Sequence, residues 1–151
     1  MSIADPRLAQ ELAAQAPHLS ALRATFLVAL HHGVMLEPGQ LPRLTDGDIL
    51  PSVTQALARA GFATRLLRRG TWKTAAGLGS AYPALVPMQD GRWVILVHVI
   101  DTADGPAAAI LDPGQETAGV QPMPRARFLD QWQGRLLLVR RRPATEEEGR
   151  A

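Results

Sequence analysis

The clearest pattern in the chain runs from residue 82 to residue 112, YPALVPMQDGRWVILVHVIDTADGPAAAILD. Three apolar runs, at 83–88, 92–100 and 107–111, are separated by Asp90-Gly91 and Asp104-Gly105 and closed by Asp112-Pro113-Gly114. Short apolar runs bounded by turn residues read as strands. Asp-Gly is a strong hairpin signal, because glycine accepts the positive φ of a tight turn. The pattern predicts a three-stranded antiparallel meander, one face of which the preceding residues must cover.

Upstream the period changes from two to that of a helix. Asp5-Pro6 supplies an N-cap and a first helical residue. Pro17 is expected to stop this helix near Gln15. Ser20 is then expected to cap a second helix that runs to His32, with Gly33 just past its end. Leu22, Phe26, Ala29 and Leu30 fall at i, i+4, i+7 and i+8, the broad apolar stripe of a packed helix. Residues 34–51 hold three Pro and two Gly and read as loop, with a single helical turn at 40–44. A third helix is predicted over 51–60, with Val53, Leu57 and Ala60 inward, followed by a strand at 62–69. Thr71 can cap a short helix that Gly77 and Gly79 limit. After the meander, Pro124 can start a helix containing Phe128, Leu129 and Trp132, which Gly134 closes. A last strand is predicted at 135–139. Helices first and antiparallel strands afterwards make the fold class α+β, with N-terminal helices packed on the sheet.

At 151 residues the chain fits one domain. It contains no cysteine, which excludes disulfides, thiolate metal sites and a cysteine nucleophile. No apolar run reaches the ~18 residues of a membrane span, and the N-terminus lacks a signal-peptide pattern. The net charge is only +2, so no nucleic-acid partner is implied by charge alone. Four histidines are present, but His31 and His32 are adjacent on a helix, about 100° apart, and cannot chelate one ion together. No HExxH or acidic loop accompanies them, and Gly77-Leu78-Gly79 is a turn rather than a phosphate loop. No metal site is expected.

Five segments together resemble a known family: LSALRATFLVALHHGV, DILPSVTQALARAGFATRLLRR, PALVPMQDGRWVILVHV, AAILDPG and RARFLDQWQGRLLLVRR. In this order they resemble the peptidase C39 family. The likeness is closer to its catalytically inactive relatives, the N-terminal domains of type I secretion ABC transporters of the haemolysin-exporter kind. The resemblance implies a papain-like fold over residues 19–142, an N-terminal helix or extension at 1–18, and a disordered tail or linker to a membrane domain at 143–151. Active members use a Cys, a His and an Asp, and these positions fall on Ser20, Trp93 and Asp112. The position of an assisting Gln falls on Ala14, with Gln15 one place off.

The residues do not rebuild a triad around Ser20. A serine nucleophile needs a general base within hydrogen-bond reach. Trp93 cannot accept a proton. His98, five residues further along the strand, is expected on the opposite face. His31 and His32 lie eleven and twelve residues down the helix, roughly 16–18 Å away. Asp112 is expected to serve its Asp-Pro-Gly turn. Trp93 either plugs the old site or offers a flat apolar surface.

The resemblance therefore implies a pseudo-peptidase, not an enzyme, that binds an unfolded secretion substrate of RTX type. Its location would be the cytoplasmic face of the bacterial inner membrane. Its partners would be the secreted polypeptide and the transporter's own transmembrane and nucleotide-binding domains. ATP would be bound in a separate domain, with no cofactor in this one. Candidate substrate contacts are Trp93, Tyr82, Trp72 and Trp132, with Arg92 able to meet acidic segments. Arg140-Arg141-Arg142 would precede a first membrane helix, as the positive-inside rule favours. Two alternatives stay open: a C39-type peptidase with another nucleophile, and an unrelated α+β module that reaches nucleic acid through Arg65, Arg68 and Arg69.

Overall fold

The structure, a computed structural model, describes residues 6–45 and 47–142. Asp5 and the segment 143–151 lie outside the described residues. The element order is α1 (Pro6–His31), α2 (Leu50–Arg59), β1 (Phe62–Leu67), α3 (Trp72–Ala76), β2 (Ala84–Pro87), β3 (Trp93–Thr102), β4 (Gly105–Leu111), β5 (Val120–Pro124), α4 (Arg125–Gln131) and β6 (Leu136–Arg141). Six antiparallel strands form one sheet in the order β1-β6-β2-β3-β4-β5. The α+β class and the central meander are as the pattern predicts. Gly91 and Gly105 take the positive φ that the two Asp-Gly turns require.

Four features differ from the expectation. The two N-terminal helices are one, α1, which passes through Pro17. A proline removes one backbone bond and crowds the carbonyl four residues back, which costs about 3 kcal/mol but can kink rather than end a helix. The alanine- and leucine-rich flanks favour continuation. Ser20 is consequently an interior residue of α1 and not an N-cap. The expected turn at 40–44 is instead a 3-10 turn at Pro38–Gln40. A strand was not expected at β5, because Pro122 and Pro124 interrupt its pattern. An edge strand tolerates proline where the missing N–H faces outward.

Fourth, helices cover both faces of the sheet. Leu85, Trp93, Ile95, Leu137 and Val139 pack with Ala21, Ala24 and Val28 of α1 and with Val53 and Leu57 of α2. The alternate residues Ala84, Val86, Val94, Leu96 and Leu136 pack with Ala75 of α3 and Phe128 of α4. Burial on both faces explains why β2 and the first half of β3 read as continuous apolar runs. On the second face α3 starts at Thr71, whose hydroxyl accepts the Thr74 N–H at 3.3 Å.

Trp132 closes the second face. Its Nε1–H donates to the Arg135 carbonyl at 2.9 Å and its ring lies 5.1 Å from that of Phe128. Gly70 leaves it room: a Cβ there would sit 2.7 Å from Cη2 and 3.0 Å from Cζ2 of Trp132. Gly70→Ala is expected to destabilise the protein by about 1–3 kcal/mol, since a fixed indole cannot yield cheaply. A lowered urea midpoint with an unchanged slope would show this; an unchanged midpoint would refute it.

Candidate functional site

Three elements bring residues 20, 93 and 112 to one end of the sheet. Ser20 lies within α1, Trp93 begins β3, and Asp112 follows β4. Ser20 is 7% exposed and its Oγ accepts the Trp93 backbone N–H at 2.8 Å. This bond ties α1 to the start of β3. The Trp93 indole is 2% exposed and belongs to the core between α1 and the sheet. Arg23 of α1 adds a second tie, its Nη1 donating to the Pro113 carbonyl at 3.4 Å.

Asp112 has two partners. Its Oδ1 accepts the Gly114 N–H at 2.9 Å, the turn role expected of it. Its Oδ2 accepts from Arg92 Nη1 at 2.6 Å, which the sequence reading did not foresee. Asp90 flanks the same guanidinium, its Oδ2 standing 3.7 Å from Nε, and its Oδ1 accepts the Arg92 N–H at 2.9 Å. The acidic position thus keeps a basic partner, but that partner is Arg92. As a candidate contact for acidic substrate, Arg92 is already engaged by two carboxylates of its own chain.

None of the four histidines is placed to take a proton from Ser20. His18 is two residues away on the same helix, and positions i and i+2 do not face each other. His31 and His32 are at the far end of the continuous helix. His98 differs from the expectation: a bulge between Leu96 and His98 adds one residue to β3 and inverts the later alternation. His98 pairs with Ala109, while Val99 pairs with Ala108, and those last two face the second core. His98 is therefore on the α1 face, the same face as Trp93, but about four strand steps or ~13 Å along it. There its ring stacks on Tyr82 at 4.7 Å and 24°. Among the described residues, no group of three His, Asp or Glu is placed to hold a metal. The side chains of Ala14 and Gln15 lie outside the described residues.

The aromatic candidates do not form one patch. Trp93 and Trp132 are buried on opposite faces of the sheet, so neither offers a flat surface to a ligand. Trp72 is half-buried with its ring 6.0 Å from Phe128, edge to face. Tyr82 stands apart. It precedes β2, where the two faces meet, and its hydroxyl donates to the Ala75 carbonyl of α3. Burial raises its phenol above the ordinary range, with a backbone hydrogen bond at Leu78 opposing. Its ring lines a groove of about 370 Å³ between α1 and β3, walled by Leu27, Val28, Ile95, Val97 and Leu111 and edged by His31. Volumes of about 300–1,000 Å³ are usual for ligand sites. Leu27 and His31 are four apart on α1, a signal the sequence carries. The bulge that carries Val97 and His98 onto one face is not legible in it.

His32, next to the groove's His31, is held neutral more readily than an ordinary imidazole. Burial lowers its pKa, and the charges of His31 and Arg141 add to the effect. Its ring meets His31 and Phe62 edge-on, at 5.2 and 5.7 Å.

The same arrangement of helices and strands occurs in solved structures. The N-terminal peptidase C39 like domain of the toxin secretion ATP-binding protein from Vibrio parahaemolyticus superposes with a TM-score of 0.65 at 21% identity, over 82% of this chain and 97% of that one. The fold is that of a peptidase C39-like domain. A double glycine motif protease from an AMS/PCAT transporter, solved with its leader peptide, matches at 0.64 and 16% identity, over 81% of this chain and 84% of that one. The peptidase domain of Streptococcus ComA, a bi-functional ABC transporter of a quorum-sensing pathway, matches at 0.61 and 17%, over 82% and 93%. No protein-family model matches the chain, and no curated protein matches its sequence. Among the described residues of this C39-like fold, no helix is long and apolar enough to cross a membrane.

Proposed function

We propose that this C39-like domain is non-proteolytic and binds the unfolded substrate of a type I secretion ABC transporter, an RTX-type polypeptide, on the cytoplasmic face of the inner membrane. The observation that carries the reading is the Ser20–Trp93 contact. The hydroxyl at the nucleophile position holds a strand amide, an indole fills the position of the base, and the acid is turned to Arg92. A triad needs all three parts assembled. The fold neighbours support the transporter context, one being a domain of a toxin secretion protein and another a protease solved with its leader peptide. In this reading the transmembrane and nucleotide-binding domains are the other partners, and ATP is bound there. The groove beside Tyr82 is the surface offered to polypeptide, since an apolar trough with few polar groups suits a chain of varied sequence.

Two measurements test it. A fluorogenic double-glycine peptide should give no turnover above blank, and Ser20→Ala should leave that rate unchanged. Turnover that Ser20→Ala abolishes would overturn the reading. In an NMR titration with an unfolded RTX-type polypeptide, amide shifts should gather at residues 27–31, 82 and 95–98. Saturating polypeptide without shifts there would count equally against it.

A further inference from the structure

The two edges of the sheet are built differently. On β5, Pro122 and Pro124 stand two residues apart and remove two amide donors from one side of the strand. An edge that has lost most of its donors is protected against strand addition. The other edge, β1, is FATRLL and keeps every N–H. Its register with β6 shows which groups are free. Arg142 N–H donates to the Gly61 carbonyl at 2.9 Å, so residues 61, 63, 65 and 67 form the hydrogen-bonded pairs with β6. Phe62, Thr64 and Leu66 then turn their N–H and C=O groups outward. Among the described residues no other backbone group bonds to them.

The same edge is basic, with no acidic partners among the described residues. Arg65, Arg68, Arg69 and Arg140 are exposed, and none forms an ion pair with a described carboxylate. Ala63 pairs with Arg140 and Arg65 follows two residues on, so the two guanidinium groups project from the same face as diagonal neighbours. Together with His32, Thr64 and Ser80, these two arginines line a depression of about 470 Å³. A strand laid along β1 would place every second side chain on this face, beside Arg65. A carboxylate there meets a charge that pairs with no described carboxylate.

We infer that the β1 edge accepts an extended polypeptide segment by strand addition, and that the segment it selects carries acidic residues at alternating positions. Backbone pairing supplies affinity without regard to sequence, and the arginines supply the selection. This site is separate from the groove beside Tyr82. β1 lies three strand spacings from β3, about 14 Å. It does not depend on the groove reading, and the two report on different amides.

The test uses the whole chain, 15N-labelled, with capped octapeptides alternating Asp-Thr or Lys-Thr and with an oligo-dT strand of similar length. Asp-Thr peptide should shift the amides of Phe62, Thr64 and Leu66 and slow their hydrogen exchange, binding at least tenfold more tightly than Lys-Thr. Thr64→Pro removes one outward donor and leaves the β6 ladder intact, so it should abolish the shifts while the rest of the spectrum is kept. Arg65→Glu with Arg140→Glu should weaken Asp-Thr binding tenfold or more and reverse the preference. Shifts confined to other residues, equal binding of both peptides, or binding of oligo-dT in place of Asp-Thr would each overturn the proposal. If Thr64→Pro does not fold, the exchange map and the charge-reversed pair decide it alone.

Discussion

Trp93→Ala should lower stability by about 3–5 kcal/mol, the range for truncating a buried Trp. In a chain of this size that moves the thermal midpoint down by about 10 °C. The indole is 2% exposed in the core where α1 meets the sheet, so no solvent contact offsets the cavity. Ser20→Ala acts on the same junction by another route. It leaves the Trp93 amide without the hydroxyl it now donates to, a cost of about 1–3 kcal/mol. The two changes remove different interactions at one junction, the indole packing and the hydroxyl–amide bond, so the departure of the double variant from the sum measures their coupling. Trp72→Ala is the control: a half-buried indole over Phe128 should cost clearly less. Chemical denaturation of the four variants measures all of this. A Trp93→Ala loss below that of Trp72→Ala would mean that the indole does not fill the site as described.

Most of the scaffold was legible because its signals are local. Asp-Gly turns, the apolar runs between them, the Thr71 cap and the Gly134 stop each concern a few neighbouring residues. The misses are of two kinds. Pro17 and the prolines of β5 are local signals overruled by their surroundings, the helix-favouring alanine and leucine flanks in one case and an outward edge in the other. The second kind is long-range. Arg92 and Asp112 are twenty residues apart, and their pairing depends on the β3–β4 register. The placement of His98 depends on one extra residue in β3, which reverses a face assignment made by counting. For the site, the three positions 20, 93 and 112 were legible through the resemblance, and the structure brings them to one end of the sheet. What each side chain does there was not: Ser20 is a buried acceptor rather than a cap, and Asp112 holds an arginine as well as a turn.

Placing a charge in the groove should separate its role from that of the β1 edge. Leu27 and Val97 face each other across the groove from α1 and from the bulge of β3, and both are only partly buried. Leu27→Asp or Val97→Asp is therefore expected to be tolerated better than a core substitution. Either should reduce affinity for an unfolded apolar polypeptide at least tenfold, about 1.4 kcal/mol, because a carboxylate in an apolar trough must be desolvated when the chain binds. Tyr82→Ala removes the ring that ends the groove and supports His98, and should act in the same direction. None of the three should alter binding of an acidic octapeptide at β1, three strands away. Titration calorimetry with both ligands reads the two sites independently. If the groove variants bind unfolded polypeptide as the unaltered protein does, the apolar trough is not its receptor. The binding surface would then have to be sought at the sheet edge.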